Sequence, residues 1–112
     1  MRGFHPRLIR AIEKMEAALE ESRPMSDFAD AAGISPRELE RQFRKWLKTT
    51  PAAYYRGLRL DRSRHLLRQT DLPIIEIAFR SGFSSAAHFS RSFSGRFGHP
   101  PSAERRPLPP KV

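Results

Sequence analysis

Cysteine is absent from the 112 residues. Disulfides, cysteine-containing zinc sites, iron–sulfur clusters and thiol nucleophiles are therefore excluded. No stretch approaches 18 consecutive apolar residues, so none reads as a membrane span. Met1 to Pro6 lead straight into an amphipathic segment, without the apolar run and small-residue cleavage site of a secretory signal. A cytoplasmic protein with no membrane partner is the expectation. The four histidines (His5, His65, His88, His99) are scattered, with no His-x-x-x-His pair and no acidic cluster beside them. A Gly-rich phosphate loop and a Gly-x-Ser-x-Gly elbow are both missing. The chain reads as a non-enzyme without metal or cofactor.

Negative charge is scarce and unevenly placed. The chain holds 12 Asp and Glu against 21 Lys and Arg, a net of +9. Residues 1–34 carry five basic and six acidic side chains, so the whole excess lies in residues 35–112. Localised basicity of this size points to a polyanion or to a solvated surface, and composition alone does not separate the two. The length suits one compact domain or two very small ones.

Sustained period-two alternation is also lacking; every periodic segment has helical spacing. About seven helices are expected. The first spans roughly Pro6–Glu21, with Leu8, Ile9, Ile12, Met15 and Leu19 as its apolar stripe. A short helix, about Pro24–Ala32, ends at Gly33. Ser35-Pro36-Arg37-Glu38 fits a capping box that opens a helix to about Leu47. Thr50-Pro51 starts a helix to about Gln69, roughly 28 Å long at ~1.5 Å per residue. Pro73–Ser81 is short again, ended by Gly82. Ser84/Ser85 opens a helix to about Phe97, and a last turn lies near Pro101–Arg105. The domain reading is a first helix-turn-helix subdomain over 1–50, a linker helix over 51–70, a second subdomain over 71–106, and a disordered Pro-rich tail over 107–112.

The chain resembles itself. At an offset of 49 residues, Pro24 matches Pro73, Phe28 matches Ile77, Ala29 matches Ala78 and Gly33 matches Gly82. One extra residue in the second turn shifts the offset to 50, and Ser35, Leu39, Arg41, Phe43, Leu47 and Pro51 then match Ser85, Phe89, Arg91, Phe93, Phe97 and Pro101. Each copy is a short helix, a Gly turn and a longer helix, which is a helix-turn-helix unit. One such pattern is weak evidence; two at fixed separation are much more specific.

The longer helix of each copy has a polar face. In the first it carries Arg37, Glu40, Arg41, Arg44 and Lys48; in the second, Ala87, Ser90, Arg91 and Ser94. A helix in the DNA major groove needs long polar side chains on one stripe, and Arg can donate two hydrogen bonds to guanine. Arg41 and Arg91 hold the same place in both copies, which favours base reading over a merely solvated face. Arg44 and Lys48 fit a solvated face or phosphate contact. Phe89, Phe93 and Phe97 repeat the spacing of Leu39, Phe43 and Leu47, which favours core over a stacking platform. Arginines of the long helix (Arg56, Arg59, Arg62, Arg64, Arg68) are further candidates for phosphates, and Asp61 for an internal pair.

The residues from about His5 to Arg106 resemble the DNA-binding region of the AraC/XylS family of bacterial transcription regulators. The strongest match is Ile77-Ala78, Gly82-Phe83, His88-Phe89-Ser90-Arg91, Phe93 and Phe97-Gly98-x-x-Pro101. Ala29, Gly33, Ser35, Arg41, Phe43, Thr50-Pro51 and Tyr54-Tyr55 add to it. The resemblance implies an all-α fold of two helix-turn-helix subdomains joined by a long linker helix. It implies double-stranded DNA as partner, with both recognition helices in successive major grooves. Bases would be read from Arg37, Glu40 and Arg41 and from Ala87, Ser90 and Arg91. Phosphates would be met by Ser35, Arg44, Lys48, Ser85, His88 and Ser94. A connector of about 28 Å agrees with the ~34 Å repeat of B-DNA. His5-Pro6-Arg7-Leu8 and Glu104-Arg105 resemble the branch whose members carry a DJ-1/PfpI amidotransferase-like domain.

Two departures stand out: Arg23-Pro24 where an apolar residue and a Ser or Thr cap are usual, and Ser63 where a small apolar residue is usual. Members commonly carry a separate sensor or dimerisation domain; none is read here, which favours a fragment of a longer regulator over a standalone protein. RNA polymerase is a candidate further partner, and the nucleoid the expected location. The alternative function is a basic helical adaptor that binds nucleic acid without sequence choice.

Overall fold

A computed structural model describes residues 5–105. The expected tail over 107–112 lies outside the described residues. Among the described residues there are seven helices and no strand. They are α1 (Pro6–Ala17), α2 (Met25–Ala32), α3 (Pro36–Leu47), α4 (Pro51–Gln69), α5 (Ile74–Arg80), α6 (Ala86–Phe97) and α7 (Pro101–Glu104). No described helix is long and apolar enough to cross a membrane. The chain divides into two compact units, Met1–Leu58 and Arg59–Val112. The boundary falls inside α4.

In the first unit, Leu8, Ile12 and Met15 of α1 meet Phe28, Ala29 and Ala32 of α2, with Leu39 and Phe43 of α3. All are essentially inaccessible to solvent. Burying a side chain of that size contributes about 1.5–3 kcal/mol. Tyr55 closes the core, its ring edge-on to Phe28 at 4.8 Å. Gly33 ends α2 at φ 71, a left-handed conformation that favours glycine. As expected from Arg23-Pro24, α2 has no side-chain cap at its start.

In the second unit, Leu60 and Leu67 of α4 pack with Ile77, Ala78, Phe83, Phe89 and Phe93. The three phenylalanines of α6 form a chain of ring contacts at 5.7 and 4.6 Å, so they serve as core. Ser63 is fully buried and donates to the Leu60 carbonyl at 2.6 Å, which satisfies its hydroxyl.

The internal repeat reaches further than the sequence pattern. At an offset of 52, Arg7, Leu8, Ala11 and Met15 of α1 match Arg59, Leu60, Ser63 and Leu67 of α4. Leu8, Ala11 and Met15 are buried, as are Leu60, Ser63 and Leu67. Arg7 donates to the Gly33 carbonyl at 3.0 Å, and Arg59 donates to the Gly82 carbonyl at 2.8 Å. Each turn glycine is thus held by an arginine from the first helix of its own unit. The repeat therefore spans three helices in each unit, and Ser63 stands where the first unit has the small Ala11.

One end differs from expectation. The first helix stops at Ala17 rather than continuing to Glu21. Just past that end the Tyr55 hydroxyl shares its one hydrogen between the carbonyls of Ala18 and Glu21. In the second unit Arg105 does the same work. It donates to the carbonyls of Leu67, Thr70 and Leu72, where α4 ends.

Candidate nucleic-acid interface

The starts of α3 and α6 are each set by a serine. Ser35 accepts a hydrogen bond from the Glu38 backbone N–H at 3.1 Å, and Ser85 accepts one from that of His88 at the same distance. Both serines are exposed, and their hydroxyl hydrogens stay free to donate. In α3 the capping box is only half formed. The Glu38 carboxylate does not return to Ser35 but accepts from Arg41 and Gln42.

The apolar faces of α3 and α6 are locked into their cores, which fixes what the opposite faces present. On α3, Arg37, Glu40, Arg41, Arg44 and Lys48 are all exposed. On α6, Ala87, His88 and Arg91 are exposed, while Ser90 and Ser94 are half-buried. The first stripe is long and charged; the second is short and nearly neutral apart from Arg91.

The matched arginines have different surroundings. Arg41 is ion-paired with Glu38, with Nη2 to Oε1 at 2.6 Å. That pair, with the Gln42 amide, holds the Glu38 carboxyl at about 2, well below the ordinary carboxylate range. Arg91 makes no hydrogen bond or ion pair among the described residues. The position of Glu38 is taken by His88 in the second unit, and its ring lies edge-on to Phe83 at 5.4 Å. Lys48 caps α3 in the left-handed region at φ 57 and donates its ammonium to the Lys45 carbonyl at 3.2 Å. Its counterpart is Gly98, at φ 79.

The arginines on the second half of α4 are largely committed to their own unit. Arg64 and Arg68 reach the Glu104 carboxylate at 3.0 and 2.6 Å, and His99 meets it at 2.9 Å. Burial opposes ionisation of Glu104. The hydrogen bonds from His99 and Arg68 and the charges of Arg64 and Arg68 outweigh it, so its pKa is lowered. Asp61 is paired, accepting two bonds from Arg96. Sequence reading missed the Glu104 clamp; its one signal was an isolated acid in a basic C-terminal stretch. No group of three or more His, Asp or Glu that could hold a metal occurs among the described residues.

A helix-turn-helix domain family model matches residues 28–107. The HTH-type transcriptional regulator CdhR of Pseudomonas aeruginosa is 42% identical over 106 residues, covering 95% of this chain and 32% of that protein. The HTH-type transcriptional regulator GlxA of Rhizobium meliloti is 45% identical over 102 residues, covering 91% and 32%. The chain thus spans about a third of the length of these relatives. Among solved structures, a transcriptional regulator from Chromobacterium violaceum, described as AraC-type DNA-binding domain-containing, is 44% identical. It has a TM-score of 0.86, with 89% of each chain covered. The DNA-binding domain of AdpA, solved in complex with a target DNA, is 26% identical with a TM-score of 0.84, covering 90% and 91%. This chain belongs to the AraC-type helix-turn-helix family.

Proposed function

We propose that the chain binds double-stranded DNA with sequence selectivity and thereby regulates transcription, with α3 and α6 in successive major grooves. The observation that carries the reading is the duplication. Two capped helices, each anchored by a buried apolar stripe, present polar stripes with an arginine at the same position. The AdpA domain, similar in fold, is described as bound to a target DNA. Arg37, Glu40 and Arg41, and Ala87, Ser90 and Arg91, are assigned to base edges. The short stripe of α6 suits close approach, with the Ala87 methyl group against thymine methyls. Ser35, Arg44, Lys48, Ser85, His88 and Ser94 are assigned to phosphates, which supply salt-dependent affinity without sequence choice.

A DNA-bound regulator of this kind would act in the nucleoid, and RNA polymerase is the proposed second partner. Selection from random duplex DNA tests the binding. An enriched sequence bound about 1,000-fold more tightly than random DNA is expected. Random DNA competing as well as any selected site would instead establish the non-selective adaptor reading.

A further inference from the structure

We infer that Glu38 is a positioning residue for base recognition, orienting Arg41 so that the first unit discriminates bases more sharply than the second. The inference rests on the assignment of Arg41 to a base edge. Arg41 donates from Nε to Oε2 of Glu38 at 2.9 Å and from Nη2 to Oε1 at 2.6 Å. These two bonds occupy one edge of the planar guanidinium. The Nη1 amino group and the outer hydrogen of Nη2 form a second edge, with the fork geometry that meets O6 and N7 of guanine. The two edges are rigidly related, so fixing one aims the other.

Glu38 is itself held. The Gln42 amide, on a residue 7% exposed, donates to Glu38 Oε1 at 3.1 Å. The chain of support thus runs from the core side of α3, through Gln42 and Glu38, to Arg41. Arg41 remains 58% exposed, so its free edge is accessible. The second unit lacks the device. No acidic residue occurs in α6, His88 stands at the matching position, and Arg91 has no partner among the described residues. An unheld arginine must be ordered on binding and can turn to a phosphate or to more than one base. Ordering one flexible side chain corresponds to about a 2- to 12-fold loss in affinity.

The test compares the 112-residue chain with Glu38→Ala, Glu38→Gln, Arg41→Ala and the Glu38→Ala/Arg41→Ala double variant, each by binding to a selected site and to every single-base variant of it. Circular dichroism confirms folding, since the Ser35 cap uses only the Glu38 backbone. Glu38→Ala is expected to weaken the selected site by about 2- to 12-fold and to flatten base preference at the position Arg41 reads. Affinity for random DNA should hold or rise, because a negative charge is removed. Glu38→Gln keeps one acceptor and should fall between wild type and Glu38→Ala, and the double variant should match Arg41→Ala. Glu38→Ala tightening selected and random DNA alike, with base preference intact, would overturn the inference: Glu38 would then merely sequester Arg41. Unchanged preference in Arg41→Ala would overturn it differently, by removing the base-reading assignment itself.

Discussion

Replacing Glu104 with glutamine separates charge from shape at the clamp of the second unit. The carboxylate is 5% exposed and faces Arg64, Arg68 and His99. A hydrogen bond to a charged group contributes about 1.5–3 kcal/mol when shielded from water. Arg64 and Arg68 are 38% and 51% exposed, however, and recover hydration when released. Exposed pairs contribute only about 0.2–1 kcal/mol each. Between these limits Glu104→Gln should cost about 2 kcal/mol, because the amide NH2 also meets a guanidinium donor. In urea that lowers the unfolding midpoint by roughly 1 M at a slope near 2 kcal/mol/M. The pH dependence gives a second reading. The folded-state pKa of Glu104 lies below its ordinary value of 4.5. Its stabilisation is therefore complete above 4.5 and is lost as pH falls through the lower folded-state value. The gap between wild type and variant should close in acid. An unchanged midpoint at neutral pH, or a gap that persists in strong acid, would refute the clamp as a source of stability.

Other substitutions test the interface and its scaffold. Arg41→Ala and Arg91→Ala should each cost about 1–3 kcal/mol on the selected site and relax preference in one box apiece, read by binding to base variants. Arg44→Ala should weaken binding to every sequence alike and reduce the salt slope by about 1, read from affinity against salt concentration. Lys48→Gly should have two opposite effects. It should stabilise the fold by about 0.5–1 kcal/mol by relieving the left-handed cap, as Gly98 does in the second unit. It should also weaken DNA binding without changing base preference. Ser85→Ala should cost about 1 kcal/mol of stability in denaturant unfolding through loss of the α6 cap.

The helices were legible because their signals are local. Ser35 and Ser85 cap where the sequence places caps, and Gly33 turns where the repeat places a turn. The buried faces follow from spacing alone, since Leu39 and Phe43 have the same role as Phe89 and Phe93. What escaped was set by contacts distant in sequence. The early end of α1 coincides with the contacts that Tyr55, far away in sequence, makes just beyond it. The three-helix repeat was hidden because α1 and the second half of α4 share only a few positions, and one of these pairs Ala11 with Ser63. The two share small size rather than apolarity, which hydropathy does not register. On the proposed interface, the outward placement of Arg37, Glu40, Arg41, Ala87 and Arg91 was readable from helical spacing, but the state of Arg41 was not. A Ser-x-x-Glu pattern suggests a closed capping box, and only the side-chain geometry reveals that Glu38 turns to Arg41 instead.

Two readers on successive grooves require a fixed phase between their sites. A selected site should contain two boxes about 10–10.5 base pairs apart, centre to centre. The direct measurement is affinity after inserting about half a turn, roughly five base pairs, between the boxes. Affinity should drop to that of a site with one box. Equal affinity for the original and the half-turn site would contradict paired reading of the duplex.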